Sequence, residues 1–317
     1  ILGRLIDLLA VFALLAGTAT TFSLATPLMA SVIGELFHVE LNRTVVTIII
    51  LVLTCVVYTY SLLHGFKGIS FLAKSCIYLF FGLLAYVFLF GGETKYAIGR
   101  VVQNFFQLAT YTDPQRTTSF PQTWTIFYWA YWMVWCVATP FFIGNISRGR
   151  TVRQTIFGGY LFGCGSTIVS FIILGNYSLG QQIAGAADYI AMYQKNGDLY
   201  SIIIAIIRTL PCAPLILALL FITMVAFYAT SFDSIALIGA CYSYHKLGEN
   251  ESPHKLIELM WCVLLIALPI ALVFSDSSMS NLQSVSIIAA FPIAAVIVLI
   301  TFSFLKDAKK YLLETEK

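Results

Sequence analysis

Charge is what this sequence has least of. Only 10% of its 317 residues are Asp, Glu, Lys or Arg, 18 basic and 15 acidic, where soluble chains carry about 25%. Hydrophobic residues make up 59%, and the mean hydropathy is +0.88. A soluble domain leaves much of its surface in water and could not hide so much apolar area. The composition therefore excludes a water-soluble enzyme and implies an integral membrane protein. The net charge of +3 is too small and dispersed for a nucleic-acid partner. Metal and thiol chemistry are poorly provided for as well. The seven cysteines lie in or beside apolar runs with no C-x-x-C pair, the pattern of buried thiols acting as small hydrophobes. The four histidines show no H-E-x-x-H spacing, and no span holds a nucleophile–base pair, so an enzyme is not expected. The chain opens at Ile1 with neither Met nor a signal-peptide pattern, and reads as trimmed or as a piece of something longer.

What is abundant is apolar sequence in bilayer-length runs. A crossing helix needs about 20 mostly apolar residues, and eight candidates appear, near 5–31, 44–63, 72–91, 124–144, 155–175, 212–242, 256–274 and 282–304. Pro140, Pro269 and Pro292 lie inside such runs and are expected to kink them. Eight crossings put both termini on one side. That side then carries 12 of the Lys and Arg residues and the other side six, which places both termini in the cytoplasm of an inner (plasma) membrane. The connections 92–123 and 176–211 fall outside, and apolar spacing over 98–108 predicts an amphipathic helix in the interface. Gly159-x-x-x-Gly163 has the small-residue spacing of close helix packing.

Four of the five tryptophans lie in WTIFYWAYWMVW, residues 124–135. At 100° per residue, Trp124, Tyr128, Tyr131, Trp132 and Trp135 cluster within about 100° of arc, continued by Thr139 and Phe142. One reading is an interfacial aromatic belt. The run covers about 16 Å of helix, roughly half the hydrocarbon thickness, so Trp132 and Trp135 lie deeper than a belt requires. A deep aromatic stripe without a carboxylate suits a quaternary ammonium, which has no hydrogen-bond donor and is held by ring faces at about 0.5–2 kcal/mol per ring.

The sixth run carries F-Y-A-T-S-F-D-S, residues 227–234. Two readings of its hydroxyls stand: Ser and Thr bonded back to helix carbonyls, or part of an oxygen shell for a hard cation such as Na⁺, completed by a carbonyl at a helix irregularity. Asp233 is the one acidic residue deep in a span, a functional hypothesis by default. The reading preferred for it is architectural, by capping or by pairing with a cytoplasmic-loop group such as an arginine near Arg148–Arg153.

Together these motifs resemble the betaine/carnitine/choline transporter (BCCT) family. FYWAYWMVWCVATPFFIGNISRGRTVRQ at 127–154 is similar to the family hallmark, F-Y-W-A-W-W followed by A-R-I-S-R-G-R-T-[IV]-R-E, and TSFDS to its T-S-A-D-S. SNLQSVSIIAAFPIAAV at 280–296, FLKDAKK at 304–310 and the opening IDLLAVFALLAGTAT extend the resemblance over nearly the whole chain. It implies an all-α integral membrane bundle of the five-plus-five inverted-repeat, leucine-transporter-like type, N-terminally incomplete, with eight of twelve spans. On that template 1–92 holds the last three spans of the first repeat, 93–123 an extracellular linker, 124–304 the second repeat and 305–317 a cytoplasmic tail. Gly17–Thr21 and Thr230-Ser231 then lie on the third helices of their repeats, both hydroxyl-bearing, as an inverted repeat predicts.

The resemblance further implies a symporter that takes up a trimethylammonium compound such as glycine betaine by alternating access. The substrate side chains are Trp129, Tyr131, Trp132, Trp135 and Thr139, and the Na⁺ ligands Thr230, Ser231 and the Phe227 carbonyl. Arg148, Arg150 and Arg153 belong to the inner gate, and Asp233 to the architecture. No cofactor is implied beyond Na⁺ as coupling ion; the partners are the small-molecule substrate, Na⁺, the bilayer and further copies in a homotrimer. Within the class the alternatives are a proton-coupled choline carrier and a carnitine/betaine antiporter that kept T-S by descent. Outside it stands a non-transporting fragment or sensor. Three departures from the family pattern stand out: Tyr131 for Trp, C-V-A-T-P at 136–140 where many betaine carriers have S-P-F-V-G, and Asn145 and Gln154 for the Arg and Glu flanking I-S-R-G-R-T.

Overall fold

The computed structural model describes every residue except Ile1, 40–41, 92–102, 117, 138, 148, 245–250, 275–278 and 316–317. Among the described residues all regular structure is helical. Helix α1 (Leu2–Phe37) carries hydroxyls through its middle without breaking, and three of them return to the carbonyl one turn earlier. Thr18 donates to Leu14 O (2.6 Å), Thr20 to Ala16 O (3.0 Å) and Thr21 to Gly17 O (2.7 Å). It ends at His38, which takes the left-handed conformation (φ 53°) while the Val39 N–H bonds back to Gly34 O at 3.1 Å. Helix α2 (Arg43–Leu63) starts at Asn42, whose side chain accepts from the N–H groups of Thr44 and Val45. Helix α3 (Gly65–Phe90) follows a one-residue corner.

Of the expected interfacial helix, residues 98–102 lie outside the described residues; the remainder contains the short helix α4 (Phe105–Ala109), with Phe105 and Phe106 exposed. The 124–144 run is not one helix but two, α5 (Phe120–Trp135) and α6 (Thr139–Ile146). Next comes a helical rod over 152–183. It comprises α7 (Val152–Gly158), a π-helical stretch (Gly159–Cys164), α8 (Gly165–Ser170), a second π stretch (Phe171–Gly175) and α9 (Asn176–Ile183). Four glycines between 158 and 165 weaken the α register there. The connection 176–211 is largely helical, with α10 (Tyr189–Asn196) and α11 (Leu199–Arg208) after α9. The chain closes with α12 (Ala213–Tyr242), α13 (Lys255–Phe274) and α14 (Met279–Thr315). Pro269 and Pro292 sit inside α13 and α14, which continue through them.

Seven helices among the described residues are long and apolar enough to cross a membrane. The eighth expected span is the broken pair α5–α6. The packing expected of Gly159 and Gly163 is absent: a Cβ on either would meet nothing within 4 Å among the described residues, and no residue from Val152 to Asn176 is buried. Small-residue spacing permits close approach but does not bring a partner.

The helices group into two compact units. The first comprises 1–24, 113–146 and 234–317. Its core is a seam of small side chains, Ala13 and Ala16 of α1, Ala130 and Val134 of α5, and Ala289, Ala290 and Ile293 of α14. Alanines let the helix axes approach, so dispersion between backbones replaces the hydrophobic drive that lipid cannot supply. The second unit comprises 25–112 and 147–233. It packs Leu83 and Val87 of α3 with Tyr177, Leu210 and Ile216, and Val32 of α1 with Ile204 and Leu217. Two ion pairs fasten α11 at its ends, Arg43–Asp198 (2.8 Å) and Arg208–Glu35.

Candidate functional site

Pro140 explains where the tryptophan helix stops. A proline ring clashes with the carbonyl four residues earlier and leaves it without an N–H partner; here that carbonyl belongs to Cys136, the residue that ends α5. Pro140 instead falls in the first turn of α6, where a missing N–H costs nothing. Backbone freed in this way at membrane depth must find other donors. The Cys136 N–H bonds to Met133 O (3.1 Å) and its thiol to Trp132 O (3.4 Å). The Val137 carbonyl accepts from the Tyr242 hydroxyl of α12 at 3.3 Å.

The entry to α5 is tightly held. Asp113, Arg116 and Ser119 all have positive φ (44°, 50° and 53°), a conformation costly for non-glycine residues. The buried Asp113 sustains it: its carboxylate accepts from Thr118 N–H (3.3 Å), and its carbonyl from Arg116 N–H (2.8 Å) and the Gln122 amide (2.9 Å).

Along α5 the rings form a ladder. Trp124 meets Tyr128 at 5.6 Å, Phe127 meets Tyr131 at 5.6 Å, and Tyr131 meets Trp132 at 6.3 Å and Trp135 at 6.1 Å, the last two edge-on. The structure thus brings Tyr131, Trp132 and Trp135 together and adds the buried Phe127. Trp129 points elsewhere, outside this ladder and 68% exposed. Trp132 is 63% exposed within the described chain. Thr139 is exposed at the start of α6.

Two of these side chains are anchored on α1. A Cβ at Gly17 would come within 2.9 Å of Val134 Cγ1 and 3.0 Å of the Trp135 ring, so only glycine permits this crossing. One turn on, the Tyr131 hydroxyl meets Thr21 Oγ1 at 2.7 Å. Thr21 spends its own proton on Gly17 O, so Tyr131 is the donor of the pair. A tryptophan at 131 could not make this bond in the same place. Thr21 and Gly17 were not singled out individually from sequence as partners of the aromatic helix, although their i, i+4 spacing places them on one face.

The three oxygens expected to bind a cation share one turn of α12. Ser231 Oγ donates to Phe227 O at 3.0 Å, and the Thr230 hydroxyl oxygen is buried beside the Cys76 thiol. The helix irregularity invoked for them is absent, since α12 runs unbroken from Ala213 to Tyr242. Ser231 thus adds a second donor to the Phe227 carbonyl. Phe227 also packs edge-on against Phe80 at 5.2 Å. One turn further, Asp233 is fully buried and accepts from the Ser61 hydroxyl of α2 at 2.8 Å. Phe232 lies between Tyr58 and Tyr228 at 6.2 and 6.1 Å.

Of the arginines assigned to the gate, Arg148 lies outside the described residues. Arg150 and Arg153 are exposed and make no ion pair among the described residues. Between them sits a feature that the sequence argument passed over, a capping box. Thr151 Oγ1 accepts from Gln154 N–H (3.2 Å), and Gln154 Oε1 accepts from Thr151 N–H (3.0 Å). The signal was T-x-x-Q, in which Gln serves as well as Glu.

The chain is similar to known proteins. The family profile described as "BCCT, betaine/carnitine/choline family transporter" matches residues 1–312. A protein of Acinetobacter baumannii named carnitine transporter is 25% identical over 313 residues, 96% of this chain and 56% of its own length. An Escherichia coli protein named uncharacterized transporter YeaV is 26% identical over 318 aligned residues, 97% of this chain and 65% of its own. The chain therefore spans about half to two thirds of the length of these curated relatives.

Proposed function

The chain belongs to the betaine/carnitine/choline transporter family, whose members are transporters and not enzymes, and on that premise we propose that the whole protein takes up a quaternary ammonium compound by Na⁺-coupled alternating access. The observation that carries this reading is the broken aromatic helix. Tyr131, Trp132 and Trp135 stand together at a proline-induced break, with no carboxylate among them. An ammonium without N–H groups gains from ring faces and needs no acceptor, and an unpaired carboxylate there would be costly in lipid. Trp132 receives the trimethylammonium head. Tyr131 and Trp135, fixed against α1, set its angle, and Thr139 stands at the other side of the break.

Na⁺ travels as co-substrate. Thr230 and Ser231 offer hydroxyl oxygens and Phe227 its carbonyl, on one helical turn. Glycine betaine is the first choice of substrate, with choline and carnitine as alternatives; the name of the Acinetobacter relative favours carnitine between those two. The membrane is the plasma (inner) membrane, with both ends of this chain cytoplasmic by the Lys and Arg distribution and the protein assembled as a homotrimer, as the resemblance implies. In this frame Arg148, Arg150 and Arg153 line the inner gate and Asp233 serves the architecture.

The test is radiolabelled glycine betaine uptake into proteoliposomes of the full-length protein, with inward Na⁺, H⁺ or no gradient. Uptake driven by Na⁺ and uncoupled from it by Thr230→Ala supports the proposal. Uptake driven equally well without Na⁺ makes the protein a proton-coupled carrier or an exchanger. Absence of both binding and uptake for betaine, choline and carnitine points to a sensor.

A further inference from the structure

Tyr131 stands where the family pattern usually has tryptophan, and its hydroxyl reaches a threonine to which the transport reading gives no role. Within the first unit, Thr20 and Thr21 of α1 use their hydroxyls in the same way. Each spends its proton on its own helix, Thr20 on Ala16 O (3.0 Å) and Thr21 on Gly17 O (2.7 Å). Each then offers a lone pair to a different neighbour, because consecutive residues lie about 100° apart around a helix. Thr20 accepts from the fully buried Ser286 of α14 at 2.8 Å. Thr21 accepts from Tyr131 of α5 at 2.7 Å. One bond ends on the scaffold, and the other on a side chain of the aromatic ladder.

The Thr21 bond is not what holds α1 to α5. Ala13 and Ala16 already meet Ala130 and Val134 in the small-residue seam, and Gly17 lets Val134 and the Trp135 ring approach. What the bond adds is direction. Anchoring the hydroxyl at the far tip of the ring fixes the first side-chain torsion of Tyr131. Rotation about the ring axis is then limited by Trp132 at 6.3 Å and Trp135 at 6.1 Å, with interplanar angles of 76° and 78°. Ring faces attract a cation and ring edges repel it, so the orientation of these rings decides what an ammonium meets. We propose that, on the reading of these rings as the ammonium site, Thr21 is a positioning residue: it holds Tyr131 edge-on to Trp132 and Trp135 and so sets the affinity for the ammonium head.

The test is equilibrium binding of labelled glycine betaine to the full-length protein, with tetramethylammonium as competitor and thermal unfolding followed in parallel. Thr21→Val keeps the shape but offers no acceptor, and should weaken both ligands about tenfold, the loss of one hydrogen bond. Thr21→Ser keeps the acceptor and should bind within about twofold of the wild type. Tyr131→Phe removes the same bond from the other side, should weaken binding comparably, and serves if Thr21→Val does not fold. In the Tyr131→Phe background, Thr21→Val should change affinity by less than about twofold, since no hydroxyl remains to be anchored. Ser286→Ala breaks the neighbouring bond to α1 and should lower the unfolding midpoint with affinity kept. Wild-type affinity in Thr21→Val, an equal loss in the Tyr131→Phe background, or an equal loss in Ser286→Ala overturns the positioning role and leaves the transport reading intact. So does a loss seen with betaine but not with tetramethylammonium, which places the effect at the carboxylate end. Wild-type protein that binds none of betaine, choline and carnitine overturns the transport reading itself, and the positioning role with it.

Discussion

The tryptophan helix and the hydroxyl helix are both apolar and both hold the unusual residues of the sequence, yet one breaks and the other does not. The difference lies in the backbone. In α12, Ser231 adds a donor to a carbonyl that already has one, so a polar side chain leaves the helical ladder intact. In α5, Pro140 deletes a donor and displaces a carbonyl, and the helix stops at Cys136. Hydroxyls in a membrane helix thus decorate it, whereas a proline can divide it, provided that something else satisfies the freed groups. Here the Trp132 carbonyl gains the Cys136 thiol and the Val137 carbonyl the Tyr242 hydroxyl. Pro269 and Pro292, inside α13 and α14, show that proline alone is not sufficient.

The comparison can be broken most severely at Asp233, which holds the unbroken helix to α2. Asp233→Ala leaves the buried Ser61 hydroxyl without its acceptor and should destabilise by about 2–3 kcal/mol, read as a lowered midpoint of thermal unfolding in detergent. Asp233→Asn keeps an acceptor and should recover most of the loss. On the broken helix, Trp132→Ala removes one cation–π face, about 2 kcal/mol or roughly thirtyfold in substrate affinity, measured by equilibrium binding of labelled betaine. Pro140→Ala tests the origin of the break. If the ring is the cause, the helix should close across Cys136–Thr139, with amide exchange there slowed about fivefold for a gain of roughly one hydrogen bond, and substrate binding should weaken. Unchanged exchange would mean that neighbouring packing, not the proline, divides the helix. The smallest effect should come from Tyr242→Phe, which leaves the Val137 carbonyl uncapped at about 0.5 kcal/mol and should speed exchange locally with little change in global stability.

Apolar runs pointed to eight spans, and seven are span-length helices among the described residues, because length and apolarity are local properties. The break in the eighth was partly legible, since Pro140 and Cys136 are four apart; what the chain alone did not say is that Tyr242, over 100 residues away, completes it. The aromatic face was legible from helical spacing, which overlooked Phe127; Trp129 came from the family resemblance and stands outside the ladder. The anchoring of Tyr131 by Thr21 depends on how α1 and α5 cross, and Gly17 marks that crossing only in retrospect. For Asp233, burial and the need for a partner were legible, and the identity of Ser61 was not. Gly159 and Gly163 show the reverse failure, a packing signal with no partner among the described residues.

The capping box at the start of the rod bears on the loop before it. Set against the family pattern that this stretch resembles, Asn145 removes one positive charge and Gln154 one negative charge, so the two departures cancel and the loop keeps the +3 of Arg148, Arg150 and Arg153. A glutamate at the third helical position would favour the helix dipole by a few tenths of a kcal/mol, but only while ionised. Glutamine gives up that gain and holds the Thr151 N–H at any proton concentration. With no carboxylate or imidazole between 145 and 154, the cap that starts the rod holds independently of pH.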